Sequence, residues 1–243
     1  MPIKSEELSA KVEPFDSFWE APTNIEKGFK TFYNFYYHNY LNKFPTNKKA
    51  KILTISCGPG YLVHLLNQQG YSDVLGIDSM EEKAKYAQGK NLNCKAARAF
   101  EFLQETESQF DVIFCEQEVN HLTKDEIIEL GRLCLKKLNK NGVLIVHSLN
   151  GANPIVGAEN LALNFDHFNT FTALSLCEIF KYSGFSDVKA FPLKLYVFYK
   201  NPLNYIGIMV DLCLTILFRI LFIFYGKKAK IFTKKIGAVC TKN

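Results

Sequence analysis

The chain has seven cysteines, at positions 57, 94, 115, 134, 177, 213 and 240, but no C-x-x-C pair. An odd and scattered set speaks against a disulfide framework or a zinc site, and for free buried thiols in a reducing compartment. No set of His, Cys, Asp and Glu stands at metal-ligand spacing, so no metal is expected. The opening MPIKSEELSA is charged and lacks an apolar stretch. No secretory leader is therefore expected, and the expected compartment is the cytoplasm, with a peripheral position at the inner face of the membrane suggested by the other end of the chain. No internal repeat or low-complexity tract is present.

Negative charge is also scarce late in the chain. From Lys200 onward, Asp211 is the only acid against seven Lys and one Arg. That segment carries +7, so the first 199 residues carry −2 of the net +5. A nucleic-acid enzyme would place basic residues around its reacting face. Here they belong to the tail, and nucleic acid is not the favoured partner.

The most informative stretch is KILTISCGPGYLVHLL at 51–66, read together with VLGIDSM at 74–80. A short apolar run ends in Ser56-Cys57-Gly58-Pro59-Gly60, an amphipathic helix follows, and a second strand pattern ends in Asp78. A strand, a glycine turn, a helix and an acid-capped strand form the grip of a parallel α/β sheet on a nucleoside. The glycines let backbone approach the ligand, and the acid accepts hydrogen bonds from ribose hydroxyls. A dinucleotide site wants a third glycine, but Val63 stands there, and no basic residue lies in the turn to meet a pyrophosphate.

The pattern resembles the first motif of the class I S-adenosylmethionine-dependent methyltransferases. The resemblance continues through AARAFEFL (96–103), FDVIFCEQEVNHL (110–122), NGVLIVHSLN (141–150) and NFDHFNTFTALSLCEIFKYSGF (164–185). The last of these is similar to a segment of bacterial small-molecule methyltransferases associated with glycan or cell-envelope modification. The resemblance implies an α/β, Rossmann-like methyltransferase fold. Its sheet would be seven-stranded and mostly parallel, with an antiparallel last strand and an apolar helical insertion before that strand. It also implies S-adenosylmethionine as cofactor. The residues expected to bind it are Ser56, Cys57, Gly58, Gly60, Tyr61, Asp78, Ser79, Met80, Arg98, Ala99, Phe100, Glu116 and Gln117. Thr54 and Arg98 stand where the family usually keeps acids, and Ser56 where it usually keeps glycine.

Four regions are expected: an arm with an aromatic-rich helix at 1–48, a methyltransferase core at 49–200, an apolar and basic insertion at 201–229, and a final strand at 230–243. The arm carries Phe15, Phe18 and Trp19. The helix at 25–44 is expected to cover one sheet edge, or to close as a lid with Tyr33, Tyr36 or Tyr37 reaching the site. Strands are expected near 51–56, 73–77, 92–95, 110–116, 141–148, 186–198 and 230–241. Helices are expected near 60–69, 80–89, 99–106, 123–138 and 172–183. Thr123 with Glu126 reads as a capping box, and Asn139-Lys140-Asn141-Gly142 as the turn that closes that helix.

Methyl transfer to a hydroxyl profits from a general base, and histidine is the usual one. Of five histidines, His38 and His64 read as packed helix residues. His121 and His147 fall on the carboxyl edge of the sheet, where open α/β folds bind ligands, and His167 lies in the loop after the fifth strand, where the resembled family keeps a histidine facing its acceptor. His167, then His121, are the candidate catalytic residues, and Asp166 could orient His167. The expected acceptor is a small or glycan- or phosphate-linked molecule. A non-catalytic relative that binds a nucleoside or partner, and a lipid, quinone or RNA methyltransferase, are alternative readings.

Leu203 to Tyr225 is apolar and long enough to cross a membrane, and GKKAKIFTKK follows it. Crossing would separate two strands that neighbour each other in the resembled fold and leave an open sheet edge. A helix lying in the interface avoids this and lets the lysines meet anionic head groups, at about 1 kcal/mol each. An anionic membrane surface is thus the expected partner of 203–235. Packing on its own domain, a dimer interface and a true span are the alternatives.

Overall fold

The computed structural model describes residues 25–116, 118–162, 167–194 and 203–243. The arm residues Phe15, Phe18 and Trp19, together with Gln117, Asp166 and the stretch 195–198 of the sixth expected strand, lie outside the described residues.

Chain order runs α1 (Ile25–Tyr40), β1 (Lys51–Ile55), α2 (Tyr61–Gln68), β2 (Asp73–Asp78), α3 (Glu81–Gly89), β3 (Cys94–Ala96), α4 (Ala99–Glu105) and β4 (Phe110–Cys115). It continues with α5 (Glu118–His121), α6 (Lys124–Lys137), β5 (Leu138–Leu149), α7 (Gly157–Ala162), α8 (Ala173–Tyr182), β6 (Asp187–Leu193), α9 (Leu203–Phe224) and β7 (Lys235–Thr241). The strands form one seven-stranded sheet in the order β3-β2-β1-β4-β5-β7-β6. The first five strands pair in parallel, and β7 runs antiparallel between β5 and β6. Because β2 and β4 flank β1 on opposite sides, a crevice opens at the carboxyl ends of β1 and β4.

The parallel strands are apolar on both faces, as sandwiching by helices requires. On one face Leu53, Ile113 and Val146 pack with Leu103, Leu130 and Phe180 from α4, α6 and α8. On the other, Ile52, Phe114 and Ile145 pack beneath α1 and α2. The capping box at Thr123 and Glu126 is present. The expected turn at 139–142 is instead part of β5. The register advances five residues on β5 for two on β4, from Phe110↔Leu138 to Val112↔Val143. This bulge places Asn141 at φ +62°, and its N–H donates to the Lys242 carbonyl at 2.9 Å. The Asn139 side chain donates to Asp111 Oδ1 at 2.8 Å. Polar residues that looked like a chain reversal are therefore held by strand neighbours distant in sequence.

The last strand starts at Lys235 rather than at 230, because Phe232 turns inward to full burial before pairing begins. The helix at α1 covers a sheet face, not an edge. Its Phe32, Phe35, Tyr36 and Tyr40 are buried, and Tyr40 meets Phe114 of β4 and Phe191 of β6 edge-on at 5.0 and 5.8 Å. The Lys194 backbone N–H donates to Asn39 Oδ1 at 2.8 Å, closing the far end of this cover.

Under α1, the Tyr40 hydroxyl lies 2.8 Å from His147 Nδ1, and His147 Nε2 has no hydrogen-bond partner among the described residues. Burial, with the Lys235 ammonium second, holds this imidazole well below its ordinary 6.5. The folded protein therefore keeps the ring neutral while the unfolded chain takes up a proton below pH 6.5. Stability is full above that value and falls as the solution is acidified, by up to about 1.4 kcal/mol per pH unit. Thermal melts between about pH 7 and about pH 5 should show this slope, and His147→Gln should flatten it while keeping a partner for Tyr40. An unchanged slope in the variant would contradict a neutral buried ring.

Candidate active site

The crevice is lined first by the turn that leaves β1. Ser56 has φ +55°, Gly58 +53° and Gly60 +89°. Ser56 therefore holds a left-handed conformation that ordinarily favours glycine. At Gly60 a side chain is excluded twice, by its φ and because a Cβ would stand 2.7 Å from Leu92 Cδ1. The Cys57 N–H donates to the Ile77 carbonyl at 3.0 Å, which fastens the turn to β2.

Asp78 ends β2 at this same place. Its Oδ2 accepts from the Gly58 N–H at 2.8 Å and its Oδ1 from the Met80 N–H at 2.9 Å. The side chain is only 7% exposed, so these amides stand in for water around the charge. Each carboxylate oxygen has a second lone pair, enough to accept one hydroxyl apiece from a ribose. Ala97 N–H donates to the Asp78 carbonyl at 2.8 Å, which brings the loop carrying Arg98, Ala99 and Phe100 against the acid.

The expected cofactor residues take different positions around this grip. Ser79 is exposed and Met80 half-buried beside Asp78. Arg98 is exposed, its guanidinium 3.8 Å from Glu101, while Ala99 is buried and Phe100 half-buried. Tyr61 goes elsewhere with its ring, which stacks on Phe32 at 4.8 Å while its hydroxyl donates to the Ile25 carbonyl at 3.1 Å. Cys57 offers backbone, since its thiol is buried against Cys94 above Gly76. A Cβ on Gly76 would meet the two sulfurs at 2.8 and 2.7 Å. The Cys94 contact and burial push the Cys57 thiol well above its usual range. Thr54 is buried too, its hydroxyl 3.5 Å from the Leu75 carbonyl it donates to.

Past β4, Glu116 reaches up to α1. Its Oε2 accepts from the Tyr36 hydroxyl, and its Oε1 lies 3.7 Å from His147 Nδ1. Of the three tyrosines expected to approach the site, Tyr36 is the one bonded to it, while Tyr33 accepts from Gln69 at 2.8 Å. Lys235 stands near Glu116. Burial lowers its ammonium to about 8 against the opposing pull of that carboxylate.

The two candidate catalytic histidines, 46 positions apart, meet. The His121 and His167 ring centroids are 4.9 Å apart in an edge-on contact. His121 closes the short helix α5 instead of lying in a loop. His167 Nδ1 lies 2.7 Å from the Asn160 carbonyl oxygen. A carbonyl only accepts, so Nδ1 is the donor in this contact, and the tautomer that it selects has its lone pair on Nε2. Asn120 joins the two segments: its carbonyl accepts from the Phe168 N–H at 2.9 Å and its Nδ2 donates to the Asn169 carbonyl at 2.8 Å. Sequence reading missed Asn120 and Asn160 as positioning residues. The only cue was that Asn120 adjoins His121.

A sequence profile described as a methyltransferase domain matches residues 31–190. The chain belongs to the methyltransferase-domain family. Among solved structures, this methyltransferase is similar to an S-adenosylmethionine-dependent methyltransferase from Archaeoglobus fulgidus, with 22% identity, TM-score 0.66, and 88% of this chain and 94% of that chain covered. It is also similar to the plantazolicin methyltransferase BpumL, solved with S-adenosylhomocysteine, with 18% identity, TM-score 0.59, and 97% and 93% covered. A methyltransferase from Clostridium acetobutylicum shares the fold at 11% identity and TM-score 0.56, with 94% and 98% covered. No curated protein sequence matches the chain significantly. The protein is a class I S-adenosylmethionine-dependent methyltransferase. The bare glycine turn and the amide-held Asp78 fit an adenosyl group, and the absence of a pyrophosphate cradle agrees.

Two substitutions test this grip. Asp78→Ala should weaken S-adenosylmethionine binding about 100-fold in calorimetry, the loss of two hydrogen bonds to a charged acceptor. Gly76→Ala should destabilise the fold by about 1–3 kcal/mol, through overpacking against both sulfurs. Native affinity in the first variant, or native Tm in the second, would contradict the arrangement.

Proposed function

We propose that this methyltransferase acts on a hydroxyl of a small or glycan- or phosphate-linked acceptor, with His167 as general base and His121 beside it. The observation that carries the reading is the 2.7 Å contact of His167 Nδ1 with the Asn160 carbonyl oxygen, next to the His121 ring. Both histidines stand on the carboxyl side of β4 and β5, beside the crevice.

The cofactor supplies an electrophilic methyl carbon on a sulfonium. Held by Asp78, the bound cofactor would supply that methyl group to the acceptor oxygen, and His167 Nε2 would take the hydroxyl proton. Asn120 and Asn160 hold the base in place, and Tyr36, through Glu116, closes the α1 side. Alignment of this kind is worth about 7–11 kcal/mol of the barrier, which leaves modest work for the base. Residues 1–199 carry −2, which does not suit a phosphodiester polymer. The seven cysteines are free, which suits a reducing compartment.

Methyl-labelled S-adenosylmethionine and a fractionated cell extract provide the test. Label should enter the low-mass fraction in a product stable to mild base, as an ether is. His167→Ala should lower kcat about 100-fold without changing cofactor affinity. Label entering RNA, or an unchanged kcat, would contradict the proposal.

A further inference from the structure

The helix α9 is apolar on its outer face as well as on its inner one. Its partly covered positions, Gly207, Asp211, Leu214, Thr215, Phe218 and Phe222, recur every three or four residues and so form one stripe. That stripe faces the protein, since Phe218 and Phe222 stack edge-on against the buried Phe232 at 5.9 and 4.6 Å. The polar side chains Asp211 and Thr215 belong to this inner stripe. Arg219 adjoins it, and its Nε donates to the Lys230 carbonyl at 3.2 Å. The outer face is apolar, with Ile206, Met209, Val210, Ile216, Ile220 and Ile223 between 48% and 73% exposed. A helix of a water-soluble domain turns its apolar side inward. None of the stretch Tyr205–Phe224 is buried, although its length and apolarity meet the requirement for a membrane span.

The sheet opposes crossing. β6 and β7 pair from Asp187↔Thr241 to Leu193↔Lys235, so the chain enters and leaves α9 at one end of one strand pair. A span would tear these strands apart or drag the sheet edge into lipid. At about 1.5 Å per residue α9 is roughly 33 Å long and carries an extended apolar surface. Its charges select the occupant. Lys227, Lys228, Lys230 and Lys234 directly follow the helix and are exposed. No Asp or Glu occurs after Asp211. A second copy apposed through this segment would bring the same cations against them, whereas an anionic bilayer offers acyl chains to the outer face and phosphates to the lysines.

We infer that α9 lies flat in the surface of an anionic membrane, with its outer face among the acyl chains and the Lys227–Lys234 cluster on lipid phosphates. The enzyme is thereby a peripheral membrane protein whose catalytic crevice stays in water. The inference does not depend on the identity of the acceptor.

Cosedimentation of the full chain with vesicles tests it. Vesicles of two parts phosphatidylcholine to one part phosphatidylglycerol should bind the protein, and pure phosphatidylcholine should bind it at least about tenfold more weakly. Replacing Lys227, Lys228 and Lys230 by Gln should weaken binding to the anionic vesicles about 100-fold. Met209→Glu combined with Ile216→Glu should abolish it, with Tm and S-adenosylhomocysteine affinity unchanged because both side chains are exposed. Absence of vesicle binding, equal binding by the double glutamate variant, or membrane retention in alkaline carbonate, the mark of a span, would overturn the inference. So would a lipid-free dimer that the glutamates dissociate, which would give the outer face to a second copy.

Discussion

The arrangement of this active site depends on one buried carboxylate and two backbone amides. Asp78 is nearly closed off from solvent, and an uncompensated charge there would cost several kcal/mol. The Gly58 and Met80 amides supply the compensation, one on each oxygen. To aim its N–H at the acid, the Gly58 turn must adopt left-handed backbone and lie close to β2. Gly76 keeps β2 bare at the point where Cys57 and Cys94 converge above it. The acid thus fixes the turn, and the turn fixes the start of α2. The ligand meets a rim whose polar groups are oriented before it arrives, which lowers the ordering cost of binding.

The parallel half of the sheet was legible because its causes are local. Apolar runs, glycine turns and amphipathic helices alternate from Lys51 to Leu149, and the acid after the second run is the one that the Gly58 and Met80 amides hold. What escaped the sequence depends on partners far away in the chain. The Asn139–Gly142 segment has the composition of a turn, yet Asp111 and Lys242 hold it as a bulge in β5. Lys230 to Lys234 read as strand, but Phe232 is drawn inward beneath α9. Tyr61 follows the glycine turn directly, so proximity in sequence suggested a cofactor contact. Its ring stacks on Phe32 of α1. The approach of His121 to His167 was likewise invisible as geometry, because no spacing rule brings two residues 46 positions apart into contact. Asn120 does so through the Phe168 and Asn169 backbone.

Two departures from the family pattern take on physical meaning in the fold. Thr54 replaces a usual acid with a buried hydroxyl that bonds the neighbouring strand, so the position is neutral and satisfied within the sheet. Arg98 is solvent-facing and close to Glu101, at a separation where a surface pair contributes little. Neither disturbs the Asp78 grip. Lys235, the first residue of β7, links the two ends of the molecule: it follows the loop carrying Phe232 and stands near Glu116, which Tyr36 holds from α1. The apolar helix and the crevice are therefore joined by a short stretch of chain that ends at Lys235.

The central claim is that the rim of β1 and β2 holds an adenosyl group by its sugar, with the sulfur directed toward the histidine pair. A crystal structure of the protein with S-adenosylhomocysteine tests this most directly. The account predicts ribose hydroxyls on Asp78 Oδ1 and Oδ2, adenine along the Arg98–Phe100 loop, and sulfur on the side of His121 and His167. A ligand bound elsewhere, or a ribose without contact to Asp78, would contradict it.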